Sequence, residues 1–181
     1  MPLDPQVEKI LYWAQRAATP SFEQIGAAAA RALYAKTVLT LDIAPRPMHE
    51  IQDHEARLPG RSIRIRQYTP RPHGWAQPMP ALLYFHGGGF TIGSVDTHDR
   101  ICRMLAADAD CLVFSVDYRL APEHPFPAAV DDAFDSLGWL FAQEGPLGVD
   151  ATRIAVGGDS AGGTLAAVTA IHARDSGRAL A

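Results

Sequence analysis

Leu3, Val7, Ile10, Leu11 and Ala14 recur at the spacing of one helix face, behind Asp4 as a cap and Pro5 in the first turn. Thr19-Pro20 breaks that pattern. Ser21-Phe22-Glu23-Gln24 then has the form of a capping box ahead of an alanine-rich helix reaching about Lys36. Two helices therefore precede any strand. The period changes next: Ile51 to Leu58 and Ser62 to Arg66, where Ile63 and Ile65 alternate with arginines, flank Pro59-Gly60 and predict a half-exposed hairpin at a sheet edge. The runs Ala81 to Phe85, Cys111 to Val116 and Ile154 to Val156 lack alternation, as strands buried on both faces do. Helical segments near 97–107, 128–143 and 161–174 separate and follow them, giving a βαβαβα order with parallel strands covered by helices. The proline-rich stretch from Pro70 to Pro80 reads as a surface connection, and no repeat or low-complexity tract interrupts the chain.

Composition narrows the classes of function. The 181 residues are 48% apolar and 20% charged, which suits a globular domain with a substantial core. A net charge of −4 offers no basic field for phosphates, so neither nucleic acid nor an anionic membrane is the expected partner; a small uncharged ligand fits better. The N-terminus carries Asp4 and Glu8 and lacks the basic and apolar regions of a leader, no stretch approaches a membrane span, and the expected location is cytoplasmic. Cys102, in a predicted helix, and Cys111, opening a predicted strand, read as buried free thiols. There is no CxxC or HExxH, and His49, His54, His73 and His98 fall where solvated polar residues are expected, so neither a metal nor a cofactor is implied.

Two glycine-rich turns carry the candidate chemistry. In Gly158-Asp159-Ser160-Ala161-Gly162 a serine stands where a strand gives way to a helix. A turn that sharp leaves its flanking residues almost no room for side chains and holds the hydroxyl up and exposed. The helix that follows aims free N–H groups and its positive end at the same point. The second turn, His86-Gly87-Gly88-Gly89-Phe90, ends the first buried strand, and its unencumbered backbone can turn amides inward. If Ser160 attacks an ester carbonyl, the amides of Gly88, Gly89 and Ala161 are the candidate donors for the oxyanion, each worth about 3–4 kcal/mol in comparable sites. His86, Gly87, Gly158, Asp159 and Gly162 support the two turns. The run from Gly157 to Thr164 falls one residue short of a phosphate-binding loop: the lysine is missing, and Asp159 would bring the wrong charge.

Together with Asp117-Tyr118-Arg119-Leu120-Ala121-Pro122-Glu123-His124-Pro125-Phe126-Pro127, the runs HGGGF and GDSAGG resemble the hormone-sensitive lipase family of α/β-hydrolases, in its bacterial esterase branch. The resemblance covers the whole chain. It implies an α/β-hydrolase fold, with a mostly parallel sheet covered by helices and an N-terminal helical cap over residues 1–45. The core over 46–181 would be partial, incomplete on its C-terminal side. The implied activity is hydrolysis of carboxylic esters with short to medium acyl chains, without a cofactor, by a Ser-His-Asp triad. In such a family Asp117, Arg119 and Glu123 would pin the loop after a buried strand through charged hydrogen bonds. Phe90, Tyr118, Trp13 and Phe22 could line a pocket or simply fill core.

One expectation departs from the family pattern. The triad order is Ser, then acid, then His on later loops, yet Ala181 arrives soon after the Ser160 helix. His172 lies about 18 Å along that helix from Ser160 at about 1.5 Å per residue, and His86 and His124 belong to supporting loops. The acid and base are therefore expected outside this chain, which alone would turn over little substrate. If the family strand order holds, the strand at Ile154 is central and one edge is open, to be covered by a missing C-terminal part or by self-association. The alternative is a non-catalytic protein that captures a ligand on hydrolase machinery, as the plant gibberellin receptors do.

Overall fold

A computed structural model of the chain describes residues 2–17, 20–41, 43–73 and 77–181. Thr19 of the first helix break and residues 74–76 of the proline-rich connection lie outside the described residues.

Both N-terminal helices start as their caps dictate. In α1 (Pro5–Arg16) the Asp4 carboxylate accepts the Gln6 N–H at 2.7 Å, and Pro5 opens the helix where its missing N–H costs nothing. Before α2 (Phe22–Leu41) the Gln24 side chain reaches back to the Ser21 N–H at 3.1 Å. This helix runs past Lys36, and Gly26, at φ 74°, kinks it. Ala30 is the one buried side chain of α2 among the described residues.

The hairpin joins β1 (Glu50–Leu58) to β2 (Arg61–Thr69) through Gly60 at φ 71°, pairing Ala56 with Ile63 and His54 with Ile65. That register buries Ala56, Leu58, Ile63 and Ile65 on one face. Arg64 and Arg66 fall on the other, where they pair with Asp53 and Asp96. Next come β3 (Met79–Phe85), α3 (Asp99–Ala109), β4 (Leu112–Val116), α4 (Ala128–Phe141), β5 (Val149–Gly158) and α5 (Ala161–Asp175).

Sheet order is β1-β2-β4-β3-β5. The sheet is mixed: β3 runs parallel to both β4 and β5, whereas β2 meets β4 antiparallel. Among the described residues β1 and β5 are the edge strands, and the Ala181 N–H donates to the Ile154 carbonyl of β5 at 2.8 Å. Helices cover both faces. Leu83, Phe85, Phe114 and Ile65 pack against Ala133, Leu137 and Leu140 of α4 and Leu165 of α5; Tyr84, Val113 and Tyr68 pack against Cys102 and Ala106 of α3. Cys102 and Cys111 are free and buried, and burial pushes the Cys102 thiol up to about 12, which keeps it protonated.

Candidate active site

Because β3 and β5 are parallel neighbours with Phe85 opposite Gly158, the two glycine-rich turns leave the sheet side by side at the carboxyl ends of their strands. In open α/β sheets this is where ligands bind. Ser160 is the apex of the second turn, exposed, at φ 51° and ψ −118°, a conformation that L-residues rarely hold. Its hydroxyl caps nothing, and α5 begins at the next residue. Gly162 turns back onto the Asp159 carbonyl through its N–H at 2.8 Å.

The flanking glycines are required by close backbone approach. A Cβ on Gly162 would lie on the Phe85 carbonyl oxygen, and one on Gly158 would collide with Phe85 and with the Gly162 carbonyl. The end of β3 and the start of α5 thus touch backbone to backbone, and side chains of ordinary size would push Ser160 off its perch.

The first turn is bound to the second by Asp159. Its Oδ1 accepts the Gly87 N–H at 2.8 Å and the Tyr84 hydroxyl at 2.7 Å, and it lies 3.4 Å from Nε2 of His98. A side chain on Gly87 would occupy the space that the Asp159 carboxylate fills. Beyond Gly87 the backbone takes positive φ at Gly88 (122°), Gly89 (59°) and Phe90 (60°), and the Gly88 carbonyl accepts from both Thr91 and Ile92. That leaves the amides of Gly88, Gly89 and Ala161 without an acceptor among the described residues.

Beneath the turn lies His86. It is fully buried, stacks on Tyr118 with ring centroids 4.3 Å apart, and hydrogen-bonds through Nδ1 to the Gly87 carbonyl at 2.8 Å. Burial pushes its pKa down to about 4 against the opposing pull of the Gly87 carbonyl, so the ring is neutral at ordinary pH. With Nδ1–H donating, Nε2 is the acceptor, and it has no partner among the described residues. The Tyr118 hydroxyl donates to the His86 carbonyl at 2.7 Å. His86 is thus part of the floor.

A cavity of about 610 Å³ brings Ser160, Gly88, Gly89, Thr91 and Ile92 together beneath Phe22, Gly26, Ala27 and Ala30 of α2. A second, of about 510 Å³ and largely apolar, opens on the other side of Gly89 between Phe90, Phe126, Val130, Leu165 and Val168. Thr164 lines it one helical turn after Ser160. An exposed serine hydroxyl, a set of amides free among the described residues and two adjoining hollows thus share one end of the sheet.

Family comparison gives the same direction. A family model described as alpha/beta hydrolase fold matches residues 82–181. The chain belongs to the α/β-hydrolase family. Its motifs and relatives fall in the hormone-sensitive lipase-like branch. Esterase LipI of Mycobacterium tuberculosis is 48% identical over 139 residues, which is 75% of this chain and 43% of LipI. An arylesterase of Saccharolobus solfataricus is 37% identical over 176 residues, 97% of this chain and 56% of its own. Among solved structures, a hyperthermophilic esterase from Pyrobaculum calidifontis superposes with a TM-score of 0.88 at 46% identity, covering 99% of this chain and 55% of that one. The chain therefore spans about half the length of the relatives it matches.

Within this hydrolase frame every residue expected at the site, namely Ser160, Gly88, Gly89, Ala161, His86, Gly87, Gly158, Asp159 and Gly162, belongs to the two turns or their immediate support. The loop expected to be pinned by charge is pinned. Arg119 clasps the buried Asp132 of α4, Asp117 meets Arg64 and the Val95 N–H, and Glu123 meets Arg31. Two of these partners, Asp132 and Arg31, were not singled out from sequence. One expectation is corrected: His98 is not solvated but 7% exposed, wedged beside Asp159 with its Nδ1 bonded to Thr97 at 2.9 Å. Of the candidate pocket aromatics, Phe22 lines the Ser160 cavity and Phe90 its neighbour, Tyr118 is buried beneath, and Trp13 is exposed. His172 stacks on Phe134 at 4.1 Å and lines a separate groove away from Ser160. No helix among the described residues is long and apolar enough to cross a membrane.

Proposed function

We propose that the protein is a serine carboxylesterase acting on esters with short to medium acyl chains. The observation that carries this reading is the shared cavity in which Ser160, held at positive φ, adjoins Gly88 and Gly89 with their amides unpaired. Ser160 Oγ attacks the acyl carbon while its proton passes to a general base, and the carbonyl electron pair moves onto oxygen. The amides of Gly88, Gly89 and Ala161 receive that oxyanion, aided by the N-terminal end of α5. Collapse expels the alcohol, which takes the proton, and water repeats the sequence to release the acid and regenerate Ser160.

None of the seven histidines hydrogen-bonds to Ser160 among the described residues. His86 is buried in the floor and His98 is held at Asp159, so we assign the base and its acid partner to sequence beyond Ala181. Residues 1–45, with α1 and α2, act as a cap above a hydrolase core at 46–181. The expected substrate is a small ester, with no cofactor required. Hydrolysis of p-nitrophenyl butyrate by wild type and Ser160→Ala, with the intact mass of each sample, tests the assignment. Ser160-dependent turnover in a polypeptide longer than 181 residues supports it; Ser160-dependent turnover at the 181-residue mass contradicts the placement of the base; ligand binding without any turnover contradicts the enzyme reading.

A further inference from the structure

Arg31, on α2, does more than pair with Glu123 of the charged loop. Its Nε donates to the Thr91 carbonyl at 2.7 Å and its Nη2 to the Ala121 carbonyl at 2.8 Å, while Nη1 and Nη2 grip the Glu123 carboxylate at 2.8 and 2.7 Å. Thr91 closes the turn that presents Gly88 and Gly89, its own N–H bonding back to the Gly88 carbonyl at 3.0 Å. Ala121 belongs to the loop after β4, and its N–H donates to the Phe90 carbonyl at 2.8 Å. One guanidinium therefore sits at the junction of both loops. Its chain neighbour Ala30 is buried and lines the Ser160 cavity with Gly26 and Ala27.

An ion pair with Arg31 30% and Glu123 52% exposed contributes little by charge alone. The two carbonyl bonds are different. They need a planar fork with donors in fixed directions, which lysine cannot supply. Ala30 is the one fully buried side chain among the described residues of α2, and the other inward-facing positions, such as Ile25, Leu33 and Tyr34, are half-buried.

We propose that Arg31 is a positioning residue: its bonds to the Thr91 and Ala121 carbonyls set the Gly88-Gly89 turn and seat α2 over Ser160 in a single act. The inference rests on the esterase reading for its catalytic consequence, though not for its structural one. With Arg31 in place, a substrate entering beneath α2 meets amides already aimed; without it, α2 lifts and the turn loosens together.

The test compares wild type, Arg31→Lys, Arg31→Met and Glu123→Gln in the full-length protein, with Ser160→Ala as the catalytic blank. Hydrogen exchange read by mass spectrometry should rise about tenfold or more in peptides covering 22–41 and 86–93 for both Arg31 variants, and less for Glu123→Gln. Peptides from β1 and β2 should not change. For p-nitrophenyl butyrate, kcat should fall about ten- to a hundredfold in both Arg31 variants, a part of the loss from deleting an oxyanion donor, with KM moving less than threefold. Unchanged exchange over 86–93, a uniform rise across the molecule, or full kcat in Arg31→Lys overturns the proposal. If exchange rises locally while wild type shows no Ser160-dependent hydrolysis, the clamp stands and the esterase reading fails. Should Arg31→Met not fold, Arg31→Lys and Glu123→Gln carry the same comparison.

Discussion

Replacing Ser160 by glycine should make the protein more stable, the reverse of what most substitutions do. The residue holds φ 51° and ψ −118°, a conformation natural to glycine and costing other residues about 1–3 kcal/mol. Its side chain is exposed and caps no helix, so removing it forfeits little. Glycine gives back about 0.4–1 kcal/mol through the greater freedom of the unfolded chain. The balance favours Ser160→Gly by roughly 0.5–2 kcal/mol, or about 1–8 °C in Tm for a chain of this size. Ser160→Ala keeps the Cβ and therefore the strain, and should match wild type within about 0.5 kcal/mol. Urea unfolding of the three proteins, run side by side, reads the difference directly. If Ser160→Gly is no more stable than Ser160→Ala, the backbone at Ser160 is not strained, and the reading of its positive φ is wrong.

Gly162→Ala should cost about 3 kcal/mol or more, because its Cβ would land on the Phe85 carbonyl, a backbone atom that cannot step aside; thermal melting checks this, and Gly60→Ala, with open space around it, should cost less. His86 gives a pH signature. Its folded pKa of about 4 lies below the usual 6.5, so the unfolded chain takes up the proton first. Stability is then complete above pH 6.5 and falls as pH drops toward 4, by on the order of 3 kcal/mol. Urea midpoints at pH 7 and pH 4.5 for wild type and His86→Asn separate this from carboxylate titration, since the variant should show the smaller drop. Asp132 is fully buried and accepts Arg61 at 2.6 Å and the Arg119 N–H at 2.8 Å, so Asp132→Ala should cost about 3 kcal/mol. Asp135→Ala, removing a partly exposed partner of the same Arg61, should cost no more than about 1 kcal/mol by the same denaturation assay.

What the sequence made legible is what neighbours in the chain decide. Asp4-Pro5 and Ser21 to Gln24 set helix starts, the isoleucine–arginine alternation of β2 set its buried face, and the run at 81–85 lacked alternation because helices cover both sides of β3, whereas in the edge strand β5 only Ile154 of 154–156 is fully buried. The glycine spacing around Ser160 likewise reflects a local turn. Hidden from that reading were contacts between distant segments: Arg31 with Thr91 and Glu123, Arg119 with Asp132, and Asp159 with the Gly87 N–H. The ring cover of His98 comes from Tyr84, His86 and Tyr34, all distant in sequence. A charged residue facing a small-residue helix surface, as Arg31 does beside Gly26, Ala27 and Ala30, was the available hint of a polar anchor on α2.

The central claim is that Ser160 Oγ becomes acylated. Incubating the full-length protein with a fluorophosphonate ester and mapping the adduct by peptide mass spectrometry tests it most directly, since the phosphonyl group is captured by the same hydroxyl and held by the same amides. The account predicts one stoichiometric adduct on the peptide containing Gly158 to Gly163, located at Ser160 and absent from Ser160→Ala. An adduct on another residue, or none at all in folded protein, would contradict it.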